Sequence, residues 1–421
     1  MSVAREAQPS LGRTTRDGSA MAILLWMTLA QAGATLDQQG LGGLAPFFAS
    51  ALRLDHAGLG VLYGAIYLGS TLFTAPSGLL VDRYGEKTVV LISGLAMGAA
   101  VALGALLPSH VWLIACLFVF GCGFAASSPA GGRAILRWFT RNRGFAMGIR
   151  QGGAPVGGTL GAIVLPLIAL HAGYRAALVA GGAVCALTAL VAVWRYREPP
   201  GAHENAAPTQ SLGALLRGMS RFVVAPRSAV VNVTAFLLAC GQYTAVAFII
   251  VGLLHQGAPP AIAAASLAVM QGTAIVARPL WGIASDRIFG GDRAVPLALI
   301  GLLGAVSLWA LGGIHAGYAN PLAVFAIGAG LGASTIGFTG LVTAIFAEIG
   351  GVDAAGSSLG VGLTFNYAAG FVAPPLFGAM VDAHGFPFAW RLLAGVLILA
   401  AALVLTVRGK PAPTGSPHPA R

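Results

Sequence analysis

Charge is scarce in this chain. Only 9% of its 421 residues are Asp, Glu, Lys or Arg, while 57% are hydrophobic and the mean hydropathy is +0.82. Soluble proteins carry about 25% charged residues. No water-soluble core takes in so much apolar surface, so soluble classes are excluded and the solvent is lipid. Cysteine is scarce as well. Cys116, Cys122, Cys185 and Cys240 all fall in apolar runs without Cys-x-x-Cys spacing, which reads as small buried side chains, neither a disulfide framework nor a metal site. No apolar stretch precedes Met21, so no cleavable signal is expected and the first span does the targeting. Phosphate-binding loops, nucleophile constellations and histidines at metal-ligand spacing are also missing. The expectation is a protein that is not an enzyme, with no cofactor, no metal and no direct use of ATP.

What is there is length, glycine and a biased set of cations. A helix needs about 20 apolar residues to cross a bilayer, and that ruler predicts twelve spans: 21–50, 59–80, 88–107, 111–136, 145–169, 174–194, 228–253, 260–284, 294–313, 320–348, 355–381 and 388–407. The breaks are turn chemistry, such as Pro108-Ser109, Pro259-Pro260 and His384-Gly385. Sixty glycines suit close helix contact in lipid, where small residues let backbones approach. Most of the 24 Lys and Arg fall in alternate loops and the tails, and Arg53, Arg175 and Arg391 alone lie in the opposite set. That bias puts both termini in the cytoplasm. The net charge of +11 therefore serves topology, and nucleic acid is not an expected partner.

The chain divides into a cytoplasmic tail (1–20), a first six-helix bundle (21–195), a linker (196–227), a second six-helix bundle (228–408) and a second cytoplasmic tail (409–421). In the linker, Leu212, Leu215, Leu216, Met219 and Phe222 recur at helical spacing with Arg217 and Arg221 between them. This predicts an amphipathic helix, either lying on the membrane surface or packed on the bundle. Asn232-Val-Thr234 fits a glycosylation sequon but falls inside a span.

One stretch occurs twice. Gly78-Leu-Leu-Val-Asp82-Arg83-Tyr-Gly85-Glu-Lys87 returns as Gly282-Ile-Ala-Ser-Asp286-Arg287, a step of 204 residues. A short Asp-Arg loop between membrane-length helices, once per half, is the mark of a duplicated transporter. Tyr174-Arg175 with Gly181 and Trp390-Arg391 with Gly395 form a weaker second repeat. The Asp-Arg loop resembles the signature loop between the second and third helices of the major facilitator superfamily, over roughly residues 21–408. The resemblance implies an all-α membrane fold of twelve transmembrane helices in two pseudo-symmetric six-helix bundles. It also gives Gly78, Asp82, Arg83, Gly85, Gly282, Asp286 and Arg287 a gating role. The glycines would allow packing and turning; the charges would cap helix starts or pair across the bundle. Glu86 stands where a basic residue is usual.

The loop Trp138-Phe139-Thr-Arg141-Asn-Arg143-Gly-Phe-Ala146-Met-Gly148 and the following Gly153 resemble the monocarboxylate transporter and oxalate–formate exchanger branch, with Arg150 and Gly152 where alanines are usual. Gly153-Ala-Pro155-Val-Gly157-Gly158 is similar, one residue short, to a motif of drug/proton antiporters. Val276-Ala-Arg278-Pro279 matches the span-eight pattern of monocarboxylate transporters, which implies a carboxylate-holding role for Arg278. The acid four residues before that arginine is Ala274 here, so proton coupling through such a pair does not carry over.

Ions inside spans are expensive and usually functional. They reduce to Arg278, Arg150 and Asp37 once the span ends, Arg133 and Glu348, are set aside as able to reach water. A guanidinium meets a carboxylate with two charge-assisted hydrogen bonds. The step of 204 residues puts Thr74 opposite Arg278, so the duplicated fold needs no charge there. Gln271 lies seven residues earlier on the same helix face, and Arg150 with Gln151 can form the opposite wall, or Arg150 can pair with an acid. Asn366, Tyr367 and the run Ser127-Ser128-Pro129 can line a cavity or simply pack. Asp37 can carry a coupling proton, bridge to Arg278 or Arg150, or serve a gate. The function expected is a monomeric secondary transporter of the inner membrane. It would move a small organic anion, a monocarboxylate, by alternating access, driven by protons or a counter-substrate. A drug or metabolite exporter of the same fold and a non-transporting membrane sensor are the alternatives.

Overall fold

Helices start where the sequence supplies caps. Asp55 accepts from the Gly58 amide at 2.7 Å, Ser109 from Trp112 and Asn320 from Leu322, while Pro226, Pro260 and Pro321 open their helices. In a computed structural model, which describes residues 11–139, 143–197, 212–314 and 320–407, the described chain is helical throughout. The first half holds α1 (Leu11–Gly40), α2 (Ala45–Leu52), α3 (His56–Gly104), α4 (His110–Trp138) and α5 (Arg143–Arg195). Next comes α6 (Leu212–Val224). The second half holds α7 (Pro226–His255), α8 (Pro260–Arg287), α9 (Ala294–Gly313), α10 (Pro321–Leu331), α11 (Thr339–His384) and α12 (Phe386–Leu405).

Among the described residues nine segments are long and apolar enough to cross a membrane. Two of these, His56–Gly104 and Ala146–Arg195, run to 49 and 50 residues and reverse at Gly85 (φ 76°, ψ 159°) and Gly173 (φ 81°, ψ 161°). That backbone region is open essentially only to glycine. Counting each as two makes eleven crossings. Gly385 repeats the geometry (φ 81°, ψ 165°) before α12. Gly173 and Gly385 are thus equivalent turns. Tyr174 follows its glycine directly and Trp390 follows five residues on, so the expected pairing of Tyr174-Arg175 with Trp390-Arg391 is out of step.

The first span is not one straight helix. It breaks at a 3₁₀ turn, Leu41–Leu44, where Gly42 and Gly43 lie against Val246 and Pro166. The tenth breaks at a π turn, Gly332–Ile336. Small residues make the tight contacts inside each half: a methyl added at Gly40 would lie 2.6 Å from Gly161 Cα. Large apolar side chains such as Leu72, Ile92, Leu170 and Val306 stand exposed on the outside, as lipid-facing positions should. Helix α6 packs on the bundle. Met219 and Phe222 are buried with Val361, beside Ala75 and Phe365, and Asn232 Nδ2 donates to the Phe222 carbonyl at 3.0 Å.

The two halves meet unequally along their length. At the end carrying Asp55 they are sealed. A methyl at Gly60 would lie 2.6 Å from Pro375 Cα, and one at Gly378 2.8 Å from the Ala57 nitrogen. At the end carrying the Asp-Arg loops, Gly78, Gly148 and Gly282 face open space, with no atom within 4 Å of an added methyl. The expected close packing at Gly78 is therefore absent.

Candidate functional site

Midway between the halves lies a cavity of about 780 Å³, its mouth included. Helix α1 contributes Gln31, Thr35, Gln38 and Gln39; α4 adds Phe124 and Ser128; α5 adds Gln151. From the second half come Gln242 and Tyr243 on α7, Arg278 on α8, and Thr339, Asn366 and Tyr367 on α11. Among the described residues no acidic side chain lines it. Its polar walls are amides, hydroxyls and the one guanidinium, set among aromatic rings and the aliphatic Ala154, Val342 and Leu363.

Among the described residues Arg278 is held by carbonyls. Its Nε donates to the Ile336 carbonyl and its Nη1 to the Gln151 carbonyl across the interface, both at 3.4 Å. Ile336 closes the π turn, a geometry that releases carbonyls from the regular helical ladder. Trp281 Nε1, also on α8, donates to the Ala333 carbonyl of the same turn at 2.8 Å. The π turn thus fixes Arg278 from behind while the guanidinium faces the cavity. Among the described residues no carboxylate pairs with it.

Arg150 is placed differently. It is fully enclosed, 2% exposed, and it stands behind the wall. Its Nη2 donates to Gln31 Oε1 at 2.9 Å and to the Ser127 carbonyl at 3.4 Å, and the group lies over Gly131. Gln31 is the member of that pair which lines the cavity. Asn366 Oδ1 accepts a short hydrogen bond from the Tyr243 hydroxyl, and Phe124 meets Tyr367 edge-on at 6.3 Å. Gln271 is completely buried and is not a lining residue, but it lies beside Gly158 as the lining Gln39 does.

Asp37 does not bridge to either arginine. Its carboxylate turns into the first half, against Gly181 and Leu165, with neither oxygen hydrogen-bonded. Its neighbours Gln38 and Gln39 take the cavity face, and the seating of α1 turns Asp37 away from it.

The Asp-Arg loops pair within their own halves. Asp82 accepts from Arg133 at 2.6 Å, so Arg133 does not simply reach water. Glu86, 2% exposed, accepts from Arg137 at 2.9 Å and from the Tyr196 hydroxyl at 2.7 Å. Burial pushes the Glu86 carboxyl up, but the Tyr196 hydroxyl, its backbone and Arg137 outweigh that and hold it below its ordinary value. In the second half Arg293 bonds Asp286 at 2.7 Å and Glu348 at 3.2 Å. Arg83 stacks on its neighbour Tyr84, and among the described residues neither Arg83 nor Arg287 forms an ion pair across the halves.

At the sealed end a contact unforeseen from sequence does cross. Asp382 on α11 accepts from the Ala57 amide at 2.9 Å and the His56 amide at 3.3 Å, and its Oδ1 lies 2.6 Å from His56 Nδ1. A carboxylate of one half thus caps the first turn of α3 in the other. Burial raises the Asp382 carboxyl, but the Ala57 amide and His56 more than offset it and the net shift is downward.

A family model described as Major Facilitator Superfamily matches residues 27–374. The chain belongs to this superfamily. This facilitator protein is 30% identical over 397 residues to an uncharacterized MFS-type transporter of Mycobacterium tuberculosis, with 93% of this chain and 86% of the relative covered. It is 28% identical over 173 residues to a probable sulfoacetate transporter of Cupriavidus necator, covering 41% of this chain and 40% of that one. Among solved structures, a bacterial homolog of the human lysosomal transporter Spinster, inward-facing and unoccupied, superposes with a TM-score of 0.73 at 18% identity. That match covers 94% of this chain and 99% of the other. The protein is a multi-pass, all-α secondary transporter of the major facilitator fold, and not an enzyme.

Lining residues that the sequence reading left out include Gln31, Thr35, Gln242 and Tyr243. A signal for two of them was present. The step of 204 that carries Asp82 to Asp286 also carries Gln38-Gln39 to Gln242-Tyr243, marking one polar pair at the same depth of α1 and α7.

Proposed function

We propose that this facilitator carries a small organic anion, a monocarboxylate, between its halves by alternating access, with Arg278 as the anchor of the carboxylate. The observation that carries this reading is an arginine on the cavity wall whose hydrogen-bond partners among the described residues are carbonyls. A guanidinium held in low dielectric without a counter-ion favours a ligand that brings one. Its planar fork suits a carboxylate. Arg150 adds a second positive charge behind Gln31. An exporter of lipophilic cations would call for an acid on the same wall. The sulfoacetate relative, itself a carrier of a small organic anion by its description, agrees with this reading over the part of the chain it matches. Within the superfamily, the Val276-Ala-Arg278-Pro279 pattern supports the monocarboxylate transporter and oxalate–formate exchanger branch.

The architecture that goes with this function is twelve crossings in two six-helix bundles, 21–195 and 228–408, joined by the linker 196–227. The twelfth is the expected span 355–381, whose Asn366, Pro374 and Pro375 lower its hydropathy. Both tails lie in the cytoplasm of a bacterial-type inner membrane by the positive-inside bias, and the carrier is a monomer. The parted end is then cytoplasmic and the Asp382 cap seals the outside. Asp37 serves proton coupling through α1, whose next two residues line the cavity. The gating residues of the Asp-Arg loops act when the cytoplasmic end closes.

The experiment is uptake of labelled carboxylates into proteoliposomes, with and without a pH gradient. Arg278→Gln is expected to weaken carboxylate binding about 100-fold, the scale of losing one partner of a desolvated charge pair. Arg278→Lys, a point charge without the fork, should retain part of the transport. Undiminished uptake by well-folded Arg278→Gln removes the assignment.

A further inference from the structure

Two buried amides beside the cavity carry polar atoms without a hydrogen bond among the described residues. Gln271 is 0% exposed and neither its Oε1 nor its Nε2 makes a hydrogen bond. Gln39, on the cavity wall at 7% exposure, leaves its Oε1 unbonded, as does Gln242. Gln39 and Gln271 come from opposite halves and meet over Gly158. A methyl placed there would lie 2.7 Å from Gln39 Oε1 and 3.1 Å from Gln271 Nε2. The missing side chain on α5 makes the room both amides occupy.

The duplication shows what this junction could have held instead. The step of 204 carries Gln39 to Tyr243 and Tyr67 to Gln271. The counterpart of the Gln39–Gln271 pair is therefore Tyr243–Tyr67, whose rings pack with centroids 4.1 Å apart. The same crossing of helices is filled by two aromatic rings on one seam and by two amides on the other. Packing alone is satisfied by rings. Buried amides with unused donors and acceptors carry a desolvation penalty that rings avoid, and a ligand bearing groups that both donate and accept relieves it. A hydroxyl is such a group.

We infer that the Gln39–Gln271 pair is a hydroxyl-recognising subsite, so that the carried anion is a hydroxylated carboxylic acid and not a plain aliphatic one. This rests on Arg278 as the carboxylate anchor. Gln271 precedes Arg278 by seven residues, two turns or about 10 Å along α8, less the inward reach of the arginine. That separation suits an acid whose hydroxyls lie several carbons from the carboxylate. Tyr243 of the tyrosine pair lines the same cavity and offers a ring to the carbon skeleton.

The test compares three six-carbon probes on the purified full-length protein, by thermal-shift titration: D-gluconate, hexanoate and D-glucose. Gluconate is expected to bind at least tenfold more tightly than hexanoate, because a site built for hydroxyls rejects analogues that lack them. Gln271→Leu and Gln39→Leu, made separately so that one misfolded variant does not decide the matter, should each bring the gluconate-to-hexanoate ratio toward one. Hexanoate binding as tightly as gluconate, or a ratio unmoved in both variants, overturns the subsite and leaves the anion reading standing. Binding of glucose without either acid overturns the anion reading and keeps the subsite. No binding of any probe overturns both.

Discussion

The two halves solve one problem at the loop end with opposite charges. In the first, the acid sits at the loop and the base on the facing helix: Glu86 bonds Arg137. In the second, the base sits at the loop and the acid on the facing helix: Arg293 bonds Glu348. The junction needs a pair to tie the loop to the helix behind it, and Coulomb attraction is indifferent to which side holds which sign. Burial separates the two solutions. Glu86 is 2% exposed and carries the Tyr196 hydroxyl as well, whereas Glu348 is 54% exposed. The first is a built-in strut and the second a surface contact.

The comparison breaks most sharply at Glu86. Glu86→Gln leaves Arg137, and Arg133 whose Nε lies 3.7 Å from Glu86 Oε2, facing a neutral amide in an enclosed site, and should destabilise the detergent-solubilised protein by about 3 kcal/mol, the lower range for breaking a buried pair. Thermal unfolding would measure it, and a loss under 1 kcal/mol would make the two halves equivalent. The swap Glu86→Arg with Arg137→Glu copies the second half into the first. It should recover part of the loss of either single change, read as a coupling in a double-mutant cycle.

At the sealed end, Asp382→Asn should weaken the inter-half cap by about 1 kcal/mol, since the pair is about one-third exposed. The consequence is a larger population open at that end, read as faster labelling of a cysteine introduced at Gln242. Labelling that stays unchanged would free the seal at that end from this contact. The smallest effect belongs to Glu348→Gln, within about 0.5 kcal/mol of wild type, as for most exposed pairs.

Acid sharpens the same contrast. The Glu86 carboxyl is held below its ordinary value of about 4.3. Its contribution is complete above that pH and is lost as pH falls through the lowered folded-state value. The melting gap between wild type and Glu86→Gln should therefore hold steady near neutrality and close only in strong acid. A gap that closes between pH 7 and 5 would contradict the assignment.

Sequence by itself determined the solvent, the duplication and the depth of the polar residues. Apolar run length follows bilayer thickness, and the step of 204 residues survives in the chain as plain text, so the place of Arg278 two turns inside Asp286 could be read directly. Tertiary structure decided direction and partnership. Asp37, Gln38 and Gln39 are consecutive, and only the seating of α1 against α5 decides that the amides face the cavity while the acid turns away. Arg150 and Arg278 look alike in sequence, yet one is sheathed by Gln31 and the other stands on the wall. The Asp382 cap joins residues 326 positions apart, at a spacing no local pattern encodes. A helix fixes depth by its 1.5 Å rise, but the rotation that gives each side chain its neighbours comes from how the helices pack.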